Sequence, residues 1–163
     1  MEKGEKSMFK KSNKKEKELV EELLKKADAL EQEHGDESVL YGDSTNETIS
    51  IMDSTLGDIK RLFFFNDVLC SNNERDYGAG ALFYPEVLKK IGRAIGNFYI
   101  VPTSIHETLL VPEKNSALTQ QDLRDILNTE NQLAVLNGEE ELVFSDEIYK
   151  YSKKTKDILP VFA

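Results

Sequence analysis

The sequence predicts an α+β fold: an antiparallel or mixed sheet with helices packed on one face, preceded by an N-terminal amphipathic helix. Three observations carry this. Short β-branched and aromatic runs come in pairs separated by polar or glycine turns. Helical stripes fall between the pairs. Strict strand–helix alternation, the mark of a parallel sheet, does not occur.

Met1–Lys11 reads as a mobile tail, polar and charged with Gly4 and little to bury. From Asn13 the pattern changes: Leu19, Val20, Leu23, Leu24, Ala27 and Leu30 recur at the spacing of one helical face. Asn13 with Glu16 forms a capping pair, and Gly35 after His34 a stop, so the spacing predicts a helix over Lys14–Glu33. Its stripe has two uses open to it, packing on its own domain or docking a partner chain or a second copy. The chain divides into residues 1–36, a charged tail and helix, and residues 37–163, a single α+β domain.

Ser38–Tyr41 and Thr48–Met52 read as strand, turn and strand, with Ile49 and Ile51 marking a buried face. Leu56–Phe65 fits either a helix through Leu56, Ile59, Leu62 and Phe63 or a strand at Leu62–Phe65. Val68–Ser71 and Gly78–Tyr84 read as two strands joined by the polar turn 72–76. Gly78 and Gly80 belong inside a strand only where another group approaches closely. Pro85 opens a helix that presents Val87, Leu88, Ile91 and Ile95 on one face and is closed by Gly96. Phe98–Val101 and Thr108–Val111 are strands, each stopped by a proline. Thr119 and Asp122 cap a further helix with Leu123, Ile126 and Leu127 inside, and Asn137-Gly138 is a turn. A last strand lies around Leu142–Phe144 or Glu147–Tyr151, and Ile158, Leu159, Val161 and Phe162 pack the tail.

The totals bound the function. At 163 residues the chain has the size of one ordinary domain and needs no disulfide or metal staple. Lone Cys70 forms no internal bridge, which suits a reducing compartment, and it reads as a buried hydrophobe. The N-terminus carries no apolar leader run, and Leu62–Phe65 is far short of the ~18 residues of a membrane span. The expected location is the cytoplasm. Residues 1–26 hold nine lysines against six glutamates, whereas the rest holds twelve basic against twenty-four acidic residues, so a body at −12 repels nucleic acid.

Val68-Leu-Cys-Ser-Asn-Asn-Glu-Arg-Asp-Tyr-Gly-Ala-Gly-Ala-Leu-Phe-Tyr-Pro-Glu-Val-Leu88 and Phe98-Tyr-Ile-Val-Pro-Thr-Ser-Ile-His-Glu107 carry a resemblance. Together they resemble the C-terminal half of an uncharacterised bacterial domain-of-unknown-function family. Its members show a Tyr-Gly-Ala segment, a helix opened by Pro, and a Pro-Ser-Ser-Ile-His-Glu segment leading into a strand. The resemblance covers Val68 to Tyr151 and leaves out the N-terminal helix. Thr103 stands where the family has Ser, which keeps a hydroxyl. It implies no activity, because the family has no established one.

The one gathering of titratable and nucleophilic groups beside buried structure is Thr103-Ser104-Ile105-His106-Glu107. Three readings stand. His106 and the hydroxyls satisfy backbone groups at a crossing between strands. Alternatively Thr103, Ser104, His106 and Glu107 face a partner or small ligand near Tyr77 and Gly78. In the third reading, strand continuation through Ser104–Thr108 puts Ser104 and His106 on one face as nucleophile and base of a small hydrolase with Glu107, although no Gly-x-Ser-x-Gly elbow is present. Two histidines and one cysteine lack metal-ligand spacing, and no glycine loop suits a phosphate, so no metal or cofactor is expected. The function read from these features is a non-enzymatic protein-interaction or regulatory module that binds another chain or itself through residues 14–33. The hydrolase is the alternative.

Overall fold

A computed structural model describes residues 2–35, 37–114 and 116–162, with side chains from Lys14 onward. The elements run α1 (Glu2–His34), β1 (Val39–Gly42), β2 (Thr48–Ser50), α2 (Leu56–Phe65), β3 (Val68–Ser71) and a 3-10 turn (Ala79–Phe83). There follow α3 (Pro85–Ile95), β4 (Phe98–Val101), β5 (Thr108–Pro112), α4 (Gln120–Leu136), a second 3-10 turn (Glu140–Leu142), β6 (Tyr149–Tyr151) and β7 (Ile158–Pro160). The expected α+β architecture is present.

The seven strands form one antiparallel sheet in the order β2-β1-β3-β5-β4-β6-β7. Residues alternate between its faces. Leu40, Cys70, Leu110, Phe98, Ile100, Tyr149 and Tyr151 lie on one face, and Leu23 and Ala27 of α1, Ile59 and Leu62 of α2, and Leu88 and Ile91 of α3 pack there. Val101 and Val111 point the other way, where Leu123 and Leu127 of α4 cover them. Three helices thus share the expected single face. Helix α4 is the exception, and it covers only the β4–β5 side of the opposite face.

Where the sequence left Leu56–Phe65 open, the helix wins. Thr55 and Asp58 form a reciprocal capping box, and a strand would have left Ile59 and Leu62 on opposite faces. The expected strand at Gly78–Tyr84 is a 3-10 turn instead. Both edges of β3 are already paired, to β1 and β5, so no ladder remains for this segment. Of the two places offered for a last strand, β6 takes Tyr149–Tyr151 and Leu142 belongs to a 3-10 turn, while the tail adds a further strand, β7, at Ile158–Pro160.

Helix α1 has its backbone helical on both sides of Asn13, so the chain does not start its helix there. The same helix takes in residues 2–11, where the sequence reads as a tail, and the side chains of residues 1–13, the Asn13 cap among them, lie outside the described residues. Leu23 and Ala27 are buried against the domain, whereas Leu24 stays exposed. Gly80 makes this seat possible: a Cβ there would press into the Ala27 carbonyl oxygen and come within 3.1 Å of Glu31 Cγ.

Helix α4 opens on a second capping box. The Thr119 amide donates to Asp122 Oδ2 at 2.8 Å, and the Asp122 amide to Thr119 Oγ1 at 3.1 Å. The Thr119 amide, and after it the nearby Thr119 side chain, hold the Asp122 carboxyl below its usual range. A carboxylate lowered on folding stabilises above its unfolded pKa, about 3.9, and loses that contribution as pH falls through the lower folded value. The first turn of α4 is therefore expected to lose amide-exchange protection below about pH 4. The Asp122→Asn variant should not show that pH step.

Candidate functional site

At the end of the sheet where β3 finishes and β5 starts, two loops meet. The first, residues 72–78, is organised by Asn72, which is buried. Its Oδ1 accepts from the Glu74 and Asp76 amides at 3.1 and 3.2 Å. Its Nδ2 donates to the Asp76 carbonyl at 2.7 Å and, at 3.4 Å, to the His34 carbonyl at the end of α1. One side chain thereby sets an Asx-type turn and ties it to a helix terminus. Arg75 and Tyr77 are left with φ of 55° and 54°, a left-handed conformation that side chains enter at a cost.

The second loop, residues 102–107, is held by its own hydroxyls. Ser104 Oγ accepts from the His106 amide at 3.1 Å, and Thr103 Oγ1 donates to the Glu107 carbonyl at 3.1 Å. The Gly78 amide and the Ser71 hydroxyl both donate to the His106 carbonyl, at 3.2 and 2.6 Å. A Cβ at Gly78 would collide with Ser71 Oγ and the Asn72 amide, so the close approach foreseen for this glycine is real although the strand is not.

Side chains then bridge the loops. The Tyr77 amide donates to His106 Nδ1 at 2.9 Å, and Asp76 Oδ1 lies 3.2 Å from the same nitrogen. A ring accepting at Nδ1 is the neutral tautomer with its proton on Nε2; a protonated ring turns Nδ1 into a donor for Asp76. Tyr77 sits between both histidines of the chain, stacked on His34 at 4.4 Å between centroids and edge-on to His106 at 4.9 Å. Arg75 pairs with Glu107 at 3.0 Å and lies over the Tyr41 ring at 4.7 Å.

All six residues singled out in the sequence, Thr103, Ser104, His106, Glu107, Tyr77 and Gly78, meet here. His34, Asn72, Arg75 and Asp76 complete the site and were missed. That His34 is the only other histidine was visible, but nothing in the spacing announced that α1 would end beside Tyr77.

Compared with known families, residues 5–153 match the model of a family of unknown function, DUF5688. The chain belongs to that family. The DUF5688 match takes in the N-terminal helix, which the resemblance over Val68–Tyr151 left out. No curated protein and no solved structure matched the chain.

Chemically the DUF5688 cluster is a clasp. Ser104–Glu107 is not the strand that would align Ser104 with His106; β5 begins only at Thr108. Among the described residues no hydrogen bond joins the Ser104 hydroxyl to the imidazole, and Glu107 is engaged by Arg75. Among the described residues no group of three His, Cys, Asp or Glu side chains is placed to hold a metal ion, and no helix is long and apolar enough to cross a membrane. Cys70 is fully buried, and its burial, then the nearby Glu31 carboxylate, push its thiol far up.

Thr108, paired with Cys70 across β3 and β5, is buried, and among the described residues its hydroxyl has no hydrogen-bond partner. An unpaired buried hydroxyl costs roughly 1–3 kcal/mol, which a methyl group of the same shape does not. Thr108→Val is therefore expected to raise the urea midpoint at unchanged slope.

Proposed function

We propose that the chain is a non-enzymatic protein-interaction module of the cytoplasm. Its recognition face is built on Tyr77, Gly78, Thr103, Ser104, His106 and Glu107. One observation carries this reading: the reactive groups of the cluster hold fixed internal partners, while Tyr77, His106 and Glu107 remain half-exposed on a braced surface. Preorganised aromatic and charged groups of this kind suit recognition, since ordering them on binding costs little. A serine that accepts from a backbone amide and an imidazole whose Nδ1 accepts from another are poorly arranged for hydrolysis. The single buried thiol suits a reducing compartment.

The test is chemical and cellular. The full chain, carrying a photo-cross-linking residue in place of exposed Glu74, is irradiated in cells. Protein adducts that disappear in the Tyr77→Ser and Arg75→Glu variants are expected. A fluorophosphonate probe is expected to leave Ser104 unlabelled. Labelling that Ser104→Ala and His106→Gln both abolish would replace this reading with the small hydrolase using Ser104, His106 and Glu107.

A further inference from the structure

The two ends of the molecule carry opposite and complementary surfaces. At the end away from the clasp, a groove of about 1060 Å³ lies between the C-termini of α2 and α3 and the segment leading into α4. Phe64, Phe65 and Leu118 line it and are exposed, Phe64 to 81% and Phe65 to 62%. Isolated exposed apolar residues are ordinary, but two phenylalanines on the rim of a groove mark a contact surface. Four cations line the same groove: Lys60, Arg93, Lys114 and Lys153. None of them has an ion-pair partner among the described residues. Of the three carboxylates there, Asp43, Asp67 and Glu113, the last is taken by Lys150 at 2.9 Å. A chain of net charge −9 thus keeps a local surplus of positive charge around an apolar cleft.

At the opposite end, α4 finishes in Leu133, Val135 and Leu136, exposed to 49, 53 and 81%. Glu139, Glu140 and Glu141 follow at once and are all exposed. Between Arg124 and Lys150 the sequence has seven acidic residues and no basic one. This apolar-then-acidic knob stands beside Leu142, whose carbonyl accepts from the Ile105 amide at the clasp end. Helix α4 separates the two surfaces: its 17 residues start next to Leu118 of the groove and end at the knob, roughly 25 Å away at 1.5 Å per residue.

We infer that the occupant of the groove is a second copy of this chain: the leucines at the end of one copy's α4 insert beside Phe64 and Phe65 of the next, and Glu139–Glu141 meet its unpaired cations. This rests on the reading of the chain as an interaction module and goes beyond its Tyr77 face, to a second pair of surfaces with a partner of their own. Because groove and knob are different patches at opposite ends, the contact is heterologous, and each bound copy leaves one groove and one knob free. The product is a head-to-tail string or ring, strengthened at low salt.

Sedimentation velocity on the full chain tests it. Wild-type mass is expected to climb past the dimer with concentration and to fall with added salt. Groove variant Phe64→Ser/Lys60→Glu and knob variant Leu136→Ser/Glu140→Lys should each be monomeric alone. Mixed in equal amounts they should stop at a dimer, since only one competent groove–knob pair remains. Charge-only variants Lys60→Glu and Glu140→Lys guard against misfolding, and combining both swaps in one chain should restore growth. A wild type monomeric up to about 0.1 mM, above the range of useful weak affinities, overturns the inference. So does growth that stops at two copies, or growth unaffected by either variant. Partner cross-links at the Tyr77 face from a monomeric chain would sink the second copy while leaving the interaction reading standing.

Discussion

Alanine at position 80 is expected to unseat α1 and lower stability by several kcal/mol. The added methyl would press on the Ala27 carbonyl oxygen, a backbone atom that cannot swing aside as a side-chain tip can. The helix has to lift, and Leu23, on the same stripe as Ala27, lifts with it. Overpacking costs about 1–3 kcal/mol, and re-exposing a leucine forfeits up to roughly 1.5–3 kcal/mol more. Against a typical total of about 5–15 kcal/mol the protein still folds, at a lower urea midpoint. Gly57→Ala is the matched control. It lies exposed in α2, where the new methyl meets only Thr55 Oγ1 at 3.7 Å, so it should be neutral or stabilising by up to about 1 kcal/mol. Equal effects from the two substitutions would refute this account of how α1 is seated.

Asn72→Ala should be the most damaging polar substitution, at about 2–3 kcal/mol, because it removes four hydrogen bonds around a buried amide. The damage should spread to the rings. Without the bonds that hold Arg75 and Tyr77 in left-handed backbone, the loop relaxes, and Tyr77 leaves both His34 and His106. Ring-proton resonances of the two histidines, shifted by the tyrosine in the wild type, should move together toward free-peptide positions. Asn72→Asp keeps the acceptor for the Glu74 and Asp76 amides but loses the donor, and should fall in between. Histidine signals unmoved in the alanine variant would mean that the clasp is held by something else.

Local signals in the sequence reached local structure. The Thr119–Asp122 spacing, Pro85 and Gly96 mark helix ends by chemistry that acts within one turn, and all lie at helix ends in the structure. Short apolar runs that end at a proline similarly located β4 and β5. What failed depended on pairing at a distance. Ala79–Phe83 has strand-like composition, but β1 and β5 already occupy the edges of β3. The same holds for the site. Ser104, His106 and Glu107 were legible because they are adjacent in the chain. Asn72 and His34 join them only through bonds to a turn and a helix end, contacts that leave no spacing to read. The opposed faces of the sheet were hidden for a similar reason: nothing in Leu123 and Leu127 says which side of β4 they will cover.

The seating of α1 also orders events in time. The helix precedes every strand of the sheet in the chain, yet it packs against β7, the farthest from it in sequence, and Lys15 lies 5.2 Å from the Phe162 ring. The hairpins β1–β2 and β4–β5 join neighbours in the chain and can close early, whereas the α1–β7 contact spans nearly the whole polypeptide. During synthesis the stripe of Leu23 and Ala27 must therefore stay uncovered until the sheet beneath it has been made, an apolar face open to aggregation in the interval.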